Sequence, residues 1–267
     1  MRCAILQLPS IGMGSSKLEN YARVAHQKGV KLLLLGEYLL NPFFKELTQT
    51  PISMIREQTM HQIDTLKLLA KKYDLVFIAP VIVVKKNKCI KVTAKVNPKG
   101  VTYISQQILI NYPHWNEEKF FDNSLSSLHA PLIFSFQGFK FGVLSGFETH
   151  FDPLWNFMDE KNVDVVLVPS ASTFDSHNRW RELMKIRAFT HNCYILRANR
   201  VGEYVDDKHI WKFYGDSMVV SPDGEIEADL GNTEELLLID LEKKALTDAR
   251  KGWGFKEALK KRRILPL

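Results

Sequence analysis

The sequence predicts an α/β fold built in layers around mixed sheets, and three observations carry that prediction. Short apolar runs alternate with amphipathic stretches along the 267 residues, the pattern of strands and helices taking turns. Several runs, such as the four leucines before Gly36 and Val163–Pro169 (VDVVLVP), show no polar alternation, as expected of strands covered on both faces. Pro98–Gly100 and Pro222–Gly224 each sit between two strand-like runs and read as hairpin turns, which add antiparallel pairs to the sheet.

In order, the expected strands are Cys3–Leu8, Val30–Leu35, Leu75–Val84, Lys91–Asn97, Val101–Gln107, Leu132–Phe136, Phe141–Leu144, Val163–Val168, Tyr194–Ala198, Asp216–Ser221 and Leu236–Asp240. Helices are expected at Ser15–Lys28, which opens on serine caps, and at Ile55–Lys72 and Asn178–Thr190, where apolar residues recur every three to four positions. Two more are expected at Pro153–Glu160 and Ala245–Lys251. With no repeat, low-complexity tract or Pro/Gly/Ser linker, residues 1–267 read as one domain.

Composition narrows the function. At 45% apolar and 25% charged residues the chain has the make-up of an ordinary water-soluble globular protein. Its 36 Lys+Arg against 30 Asp+Glu permit acidic partners, but the charge is not gathered into a stripe interleaved with aromatics, so no nucleic-acid partner is expected. The basic stretch Lys251–Arg263 reads as a solvated face or a partner-contact tail. Three cysteines, Cys3, Cys89 and Cys193, argue against a disulfide framework, and no His/Cys spacing suits a metal. No window reaches membrane-span length, and MRCAILQLPSIG reads as a first strand rather than a signal peptide, so a cytoplasmic location is expected.

Three stretches carry candidate chemistry. Glu37 closes the leucine strand at the carboxyl edge, where open α/β sheets place their sites, and a carboxylate there is a candidate general base; a strand-end acid in water is the plain alternative. Asn111–Phe121 gathers aromatics, His114 and acids in a loop, with Tyr112, Trp115 and Glu118 as candidate pocket residues. Gly142–Glu148 (GVLSGFE) is a strand running through glycine toward a helix, the geometry of a nucleophile elbow, yet its one candidate nucleophile is Ser145, outside any GxSxG pattern.

Together these stretches resemble the nitrilase superfamily, whose enzymes hydrolyse nitriles, amides and N-carbamoyl amines. The likeness extends to Ile186–Asn192 followed by Ala198–Gly202, to Val168–Ala171 with Trp180 downstream, and to Tyr214–Ser217 and Pro222–Glu225, all in family order. The resemblance implies an α-β-β-α sandwich with mixed sheets, no cofactor, and a Glu–Lys–Cys triad. Glu37 stands at the position of the family's glutamate. The family's lysine comes eleven residues before an acid in an E-K-F-like segment; counted back from Glu118, that position holds Gln107. The cysteine position holds Gly146. In the family mechanism the glutamate takes the thiol proton, the thiolate attacks carbon and the lysine stabilises the oxyanion, so this chain keeps the base and lacks the nucleophile.

Two functions follow from that departure. The first is a catalytically inactive homologue with a pocket walled by Glu37, Tyr112, Trp115, Glu118, Phe147, Glu148 and Ser172, binding a small amide, amine or carbamoyl-type ligand, or acting as a scaffold. Three converging acids in that pocket would favour a cation. The second is an amidase or N-carbamoyl amine hydrolase with rearranged chemistry, using Ser145 or carboxylate-activated water. The resemblance also implies a homodimer or larger homo-oligomer.

Overall fold

The computed structural model describes residues 1–262 apart from 125, 207 and 208. Two six-stranded mixed sheets pack face to face with helices on both outer faces, an α-β-β-α sandwich. The first sheet has the order β14-β1-β2-β3-β4-β5, formed by β1 (Arg2–Gln7), β2 (Leu32–Leu35), β3 (Val76–Lys85), β4 (Lys88–Asn97), β5 (Gly100–Ser105) and β14 (Glu235–Asp240). The second has the order β13-β12-β9-β8-β7-β6, formed by β6 (Ile133–Phe136), β7 (Phe139–Val143), β8 (Val165–Pro169), β9 (Tyr194–Ala198), β12 (Met218–Val220) and β13 (Ile226–Asp229). β1-β2-β3 and β7-β8-β9 run parallel, and the Asn97–Gly100 and Ser221–Gly224 turns add antiparallel partners at the edges.

Strand alternation explains the unbroken apolar runs. Leu32 and Leu34 point between the sheets and meet Phe141, Val143, Leu167 and Leu196, while Leu33 and Leu35 point outward to helices α1 (Ser16–Gln27) and α3 (Ile52–Tyr73). On the far face, α4 (Asp152–Glu160) and α5 (His177–His191) cover Val166, Val168 and Ile195 through Trp155, Met158 and Met184. A third apolar cluster at one end of the sandwich is aromatic: Phe43 makes edge contacts with Tyr38 and Trp115 at ring-centroid distances of 5.3 and 5.0 Å.

Sequence periodicity missed the hairpin of β10 (Val201–Val205) and β11 (Ile210–Tyr214), the strand β13, and the short helices α2 (Phe44–Leu47) and α7 (Phe255–Lys260). The hairpin's strands are only five residues each and carry Glu203 and Lys212 as a cross-strand pair, so they lack the apolar run that marked the others. The remaining helix, α6 (Lys243–Trp253), is two residues longer at each end than expected. In the basic C-terminal stretch, Lys256 pairs with Asp159 at 3.0 Å; Arg263 lies outside the described residues.

Candidate functional site

Two strand ends meet at the site, one from each sheet. Glu37 stands one residue beyond Gly36 at the end of β2, and its backbone N–H donates to the carbonyl of Ser170, the residue just after β8, at 3.1 Å. Gly36 permits this approach, since a Cβ there would lie 3.2 Å from the Asn199 backbone and 3.3 Å from the Ser170 carbonyl oxygen. Beside them a 3-10 turn, Gly146–His150, follows β7. Glu37, Ser170 and Gly146 share the wall of a cavity of about 790 Å³, a volume that suits a small ligand.

A buried charge cluster lies behind that wall. Glu37, Lys91 and Glu117 are 4%, 3% and 0% exposed. The Lys91 ammonium donates to Glu117 Oε1 at 2.8 Å and lies 3.3 Å from Glu37 Oε1, outside hydrogen-bonding geometry. The Tyr38 hydroxyl also donates to Glu117. Burial pushes the Glu37 carboxyl up to about 7 against the opposing pull of Lys91, so it shares its proton near neutrality, as a general base or acid must. Burial works against the charge on Lys91, but Glu117 and Glu37 outweigh it and hold the ammonium above the ordinary lysine range.

The other expected site residues divide. Tyr112, Trp115, Phe147 and Ser172 line the cavity, with Trp115 itself buried in the aromatic cluster. Glu118 does not join them: it lines a separate cleft with Lys119 and Asp122, and its neighbour Glu117 is the acid turned inward. Two adjacent residues of a loop face opposite ways here: both backbone N–H groups donate to the Ile110 carbonyl, Glu117 at 2.7 Å and Glu118 at 3.4 Å, and the Glu117 side chain turns in to Lys91. Gln107 is likewise turned away, its amide donating to the carbonyl of His129 at 2.9 Å. Counted from the buried acid instead, the same eleven residues lead from Glu117 to Gln106, which is buried.

Glu148 is a structural acid. It accepts the backbone N–H groups of Gln107 at 2.7 Å and Ser145 at 2.9 Å, closing a capping box over the 3-10 turn, and burial still raises its pKa. The same capping box occupies Ser145, which faces a narrow cleft beside Gln107 and Glu148 rather than the cavity. Three acids therefore do not converge to hold a cation: of Glu37, Glu118 and Glu148, the cavity wall includes Glu37 alone. Burial pushes the thiols of Cys3 and Cys193 up to about 12 and raises Cys89, so all three are held as thiols, and none lines the cavity.

The position expected to hold a nucleophile is closed as well as bare. A Cβ built on Gly146 would lie 2.8 Å from the Ser170 Cβ and 3.5 Å from the Trp180 ring. Ser170 turns its hydroxyl away, donating to the carbonyl of Ala198 at 3.1 Å. Among the described residues no group of His, Cys, Asp and Glu is arranged to hold a metal, and no helix is long and apolar enough to cross a membrane.

The sequence profile of the carbon–nitrogen hydrolase family matches residues 2–251, and the chain belongs to that family. It is 24% identical to the N-carbamoylputrescine amidase of Solanum lycopersicum over 261 residues, 88% of this chain and 83% of that one. It is also 24% identical to the deaminated glutathione amidase of Synechocystis over 123 residues, where it spans 44% of that protein's length. A carbon–nitrogen hydrolase from Helicobacter pylori G27 superposes with a TM-score of 0.84 at 21% identity, covering 98% of this chain and 95% of that one. Saccharomyces cerevisiae Nit3, a member of the nitrilase superfamily, superposes with a TM-score of 0.76 at 18% identity over 94% of each chain. Both structures share the fold.

Proposed function

We propose that the chain binds a small amide or carbamoyl-type ligand in the Glu37 cavity and does not hydrolyse it through a covalent intermediate. One observation carries the binding half. Glu37 stands in the wall of a cavity of about 790 Å³ that Tyr112, Trp115 and Ser172 also line, so a carboxyl beside an aromatic wall faces a space of small-ligand size. A primary amide or carbamoyl group offers N–H donors for the carboxyl and a flat face for the aromatic wall. The relatives named above, an N-carbamoylputrescine amidase and a deaminated glutathione amidase, fit that ligand class. The non-hydrolytic half is supported by Gly146, by the Ser170 Cβ lying where a side chain at 146 would begin, and by a Ser145 committed to its capping box.

Ligand-observed NMR with propionamide, an N-carbamoyl amine and the isosteric methyl ester tests the binding. The amides should saturate and the ester bind weakly, with Glu37→Gln weakening the amides by about 5- to 100-fold. Equal binding of amide and ester overturns the assignment, and steady ammonia release from either amide overturns the absence of turnover. A cytoplasmic location and a homodimer or larger homo-oligomer belong to the same proposal: three unpaired thiols suit a reducing compartment, and sedimentation at micromolar concentration measures the assembly.

A further inference from the structure

Lys91 was not among the expected site residues, yet it is the cation of the site. β4 and β5 pair antiparallel with Val92 opposite Ser105, so the next rung sets Lys91 opposite Gln106, and the Gln106 N–H donates to the Lys91 carbonyl at 3.0 Å. Directly opposed residues of an antiparallel pair project from the same face with Cβ atoms about 5 Å apart. Asn123 locks the rung: its carboxamide oxygen accepts the Lys91 N–H, and its nitrogen donates to both the Lys91 and Gln106 carbonyls. The Lys91 face looks between the sheets, as Lys95 four residues on, on the same face, shows by lying 4.6 Å over the Phe134 ring of the second sheet. Gln106 stands eleven residues before the buried Glu117 and keeps a buried carboxamide oxygen with no partner.

We propose that Lys91 serves from the opposite strand of the same rung in place of a lysine at position 106, and that it positions Glu37 as a working base, so that this site lacks a nucleophile and not its charge set. The charged and titratable groups around Glu37 are Lys91 from β4, Glu117 and Tyr38 beside it, and Glu148 from the 3-10 turn. Lys91 is the cation among them, and its removal leaves Glu37 facing Glu117 and Glu148 with no opposite charge. The proposal rests on the reading of the cavity as an amide site for its choice of probe.

The test installs a reporter thiol. In Gly146→Cys with Ser170→Gly, which removes the atom nearest the new side chain, acrylamide alkylation of residue 146 is followed by intact mass from pH 5 to 9. The thiol proton passes to Glu37, sulfur bonds to the β-carbon as the C=C π bond breaks, and a proton returns to the α-carbon, so no further reactant is needed. Adding Glu37→Gln should slow the reaction about 100-fold, the ordinary scale of a lost general base. Adding Lys91→Met should move the pH midpoint upward by about a unit and slow alkylation about tenfold at pH 7, and adding Gln106→Lys to that variant should restore both. Melting curves accompany every variant. A Lys91→Met variant that melts like its parent and keeps the same midpoint overturns the proposal. So does a Lys91→Met/Gln106→Lys variant that stays slow or does not fold, because a lysine on either strand of the rung must serve the same carboxylates. Titrating the wild-type protein, which has no thiol at 146, with propionamide tests amide binding alone; Lys91-dependent alkylation without wild-type binding would leave this inference standing and sink the function proposed above.

Discussion

Replacing Gly146 by alanine adds one methyl group and asks whether the cysteine position is merely bare or physically closed. Gly146 lies outside the left-handed region, so on backbone grounds alanine should stabilise the chain by about 0.4–1 kcal/mol through a less disordered unfolded state. Against that, the new Cβ meets the Ser170 Cβ at 2.8 Å and its Cα at 3.3 Å, contacts on two anchored backbones that cannot rotate away. Overpacking of this kind costs about 1–3 kcal/mol, so the steric effect wins and Gly146→Ala should lose about 1–2 kcal/mol. For a chain of this size that is a fall in Tm of about 3–6 °C. In a Ser170→Gly background the nearest atom is gone and the sign should reverse, giving a coupling of about 2 kcal/mol in a double-mutant cycle by urea denaturation. Ser170→Ala should rescue nothing, since it keeps the offending Cβ. A Gly146→Ala protein as stable as the wild type, or a coupling below about 0.5 kcal/mol, refutes the closure.

Other outcomes follow from the same geometry. The Glu37 carboxyl is raised from 4.5 to about 7 on folding, so its contribution to stability is full below pH 4.5 and is lost as pH rises through 7. Glu37→Gln, which does not titrate, should therefore gain on the wild type by about 3 kcal/mol between pH 4.5 and pH 8 in paired urea melts, and a flat difference would show the carboxyl is not perturbed. Glu148→Ala strips the acceptor from the Ser145 and Gln107 N–H groups and should cost about 2–4 kcal/mol, with faster hydrogen exchange at those two amides first. With the Cys3 and Cys193 thiols pushed up to about 12 and Cys89 raised by burial, a disulfide reagent at pH 8 should label fewer than one thiol per native chain and all three in urea.

What could be read from the sequence was what depends on short-range pattern. β9 is recovered to the residue, because a strand covered on both faces must be apolar throughout, whereas the β10–β11 hairpin was invisible with Glu203 and Lys212 breaking its pattern. Glu37 and Gly146 are legible for the same reason: each lies within three residues of the end of a strand marked by local sequence. Glu117 could not be chosen over Glu118, because a loop has no period to say which of two adjacent acids points inward, and the partner that marks Glu117, the Lys91 ammonium, comes from a distant strand. The count of eleven gives Gln107 from Glu118 and Gln106 from Glu117. Lys91 left no linear trace at all, since its place opposite Gln106 is a matter of strand register between segments that a hairpin brings together.

The two backbone bonds to Glu148 have a mechanical consequence. Gln107 stands two residues past the end of β5 in the first sheet, and Ser145 stands between β7 of the second sheet and its turn, so a single carboxylate ties the end of one sheet to the end of the other. The sheets cannot slide or splay there without stretching both bonds, whatever residue stands at 146.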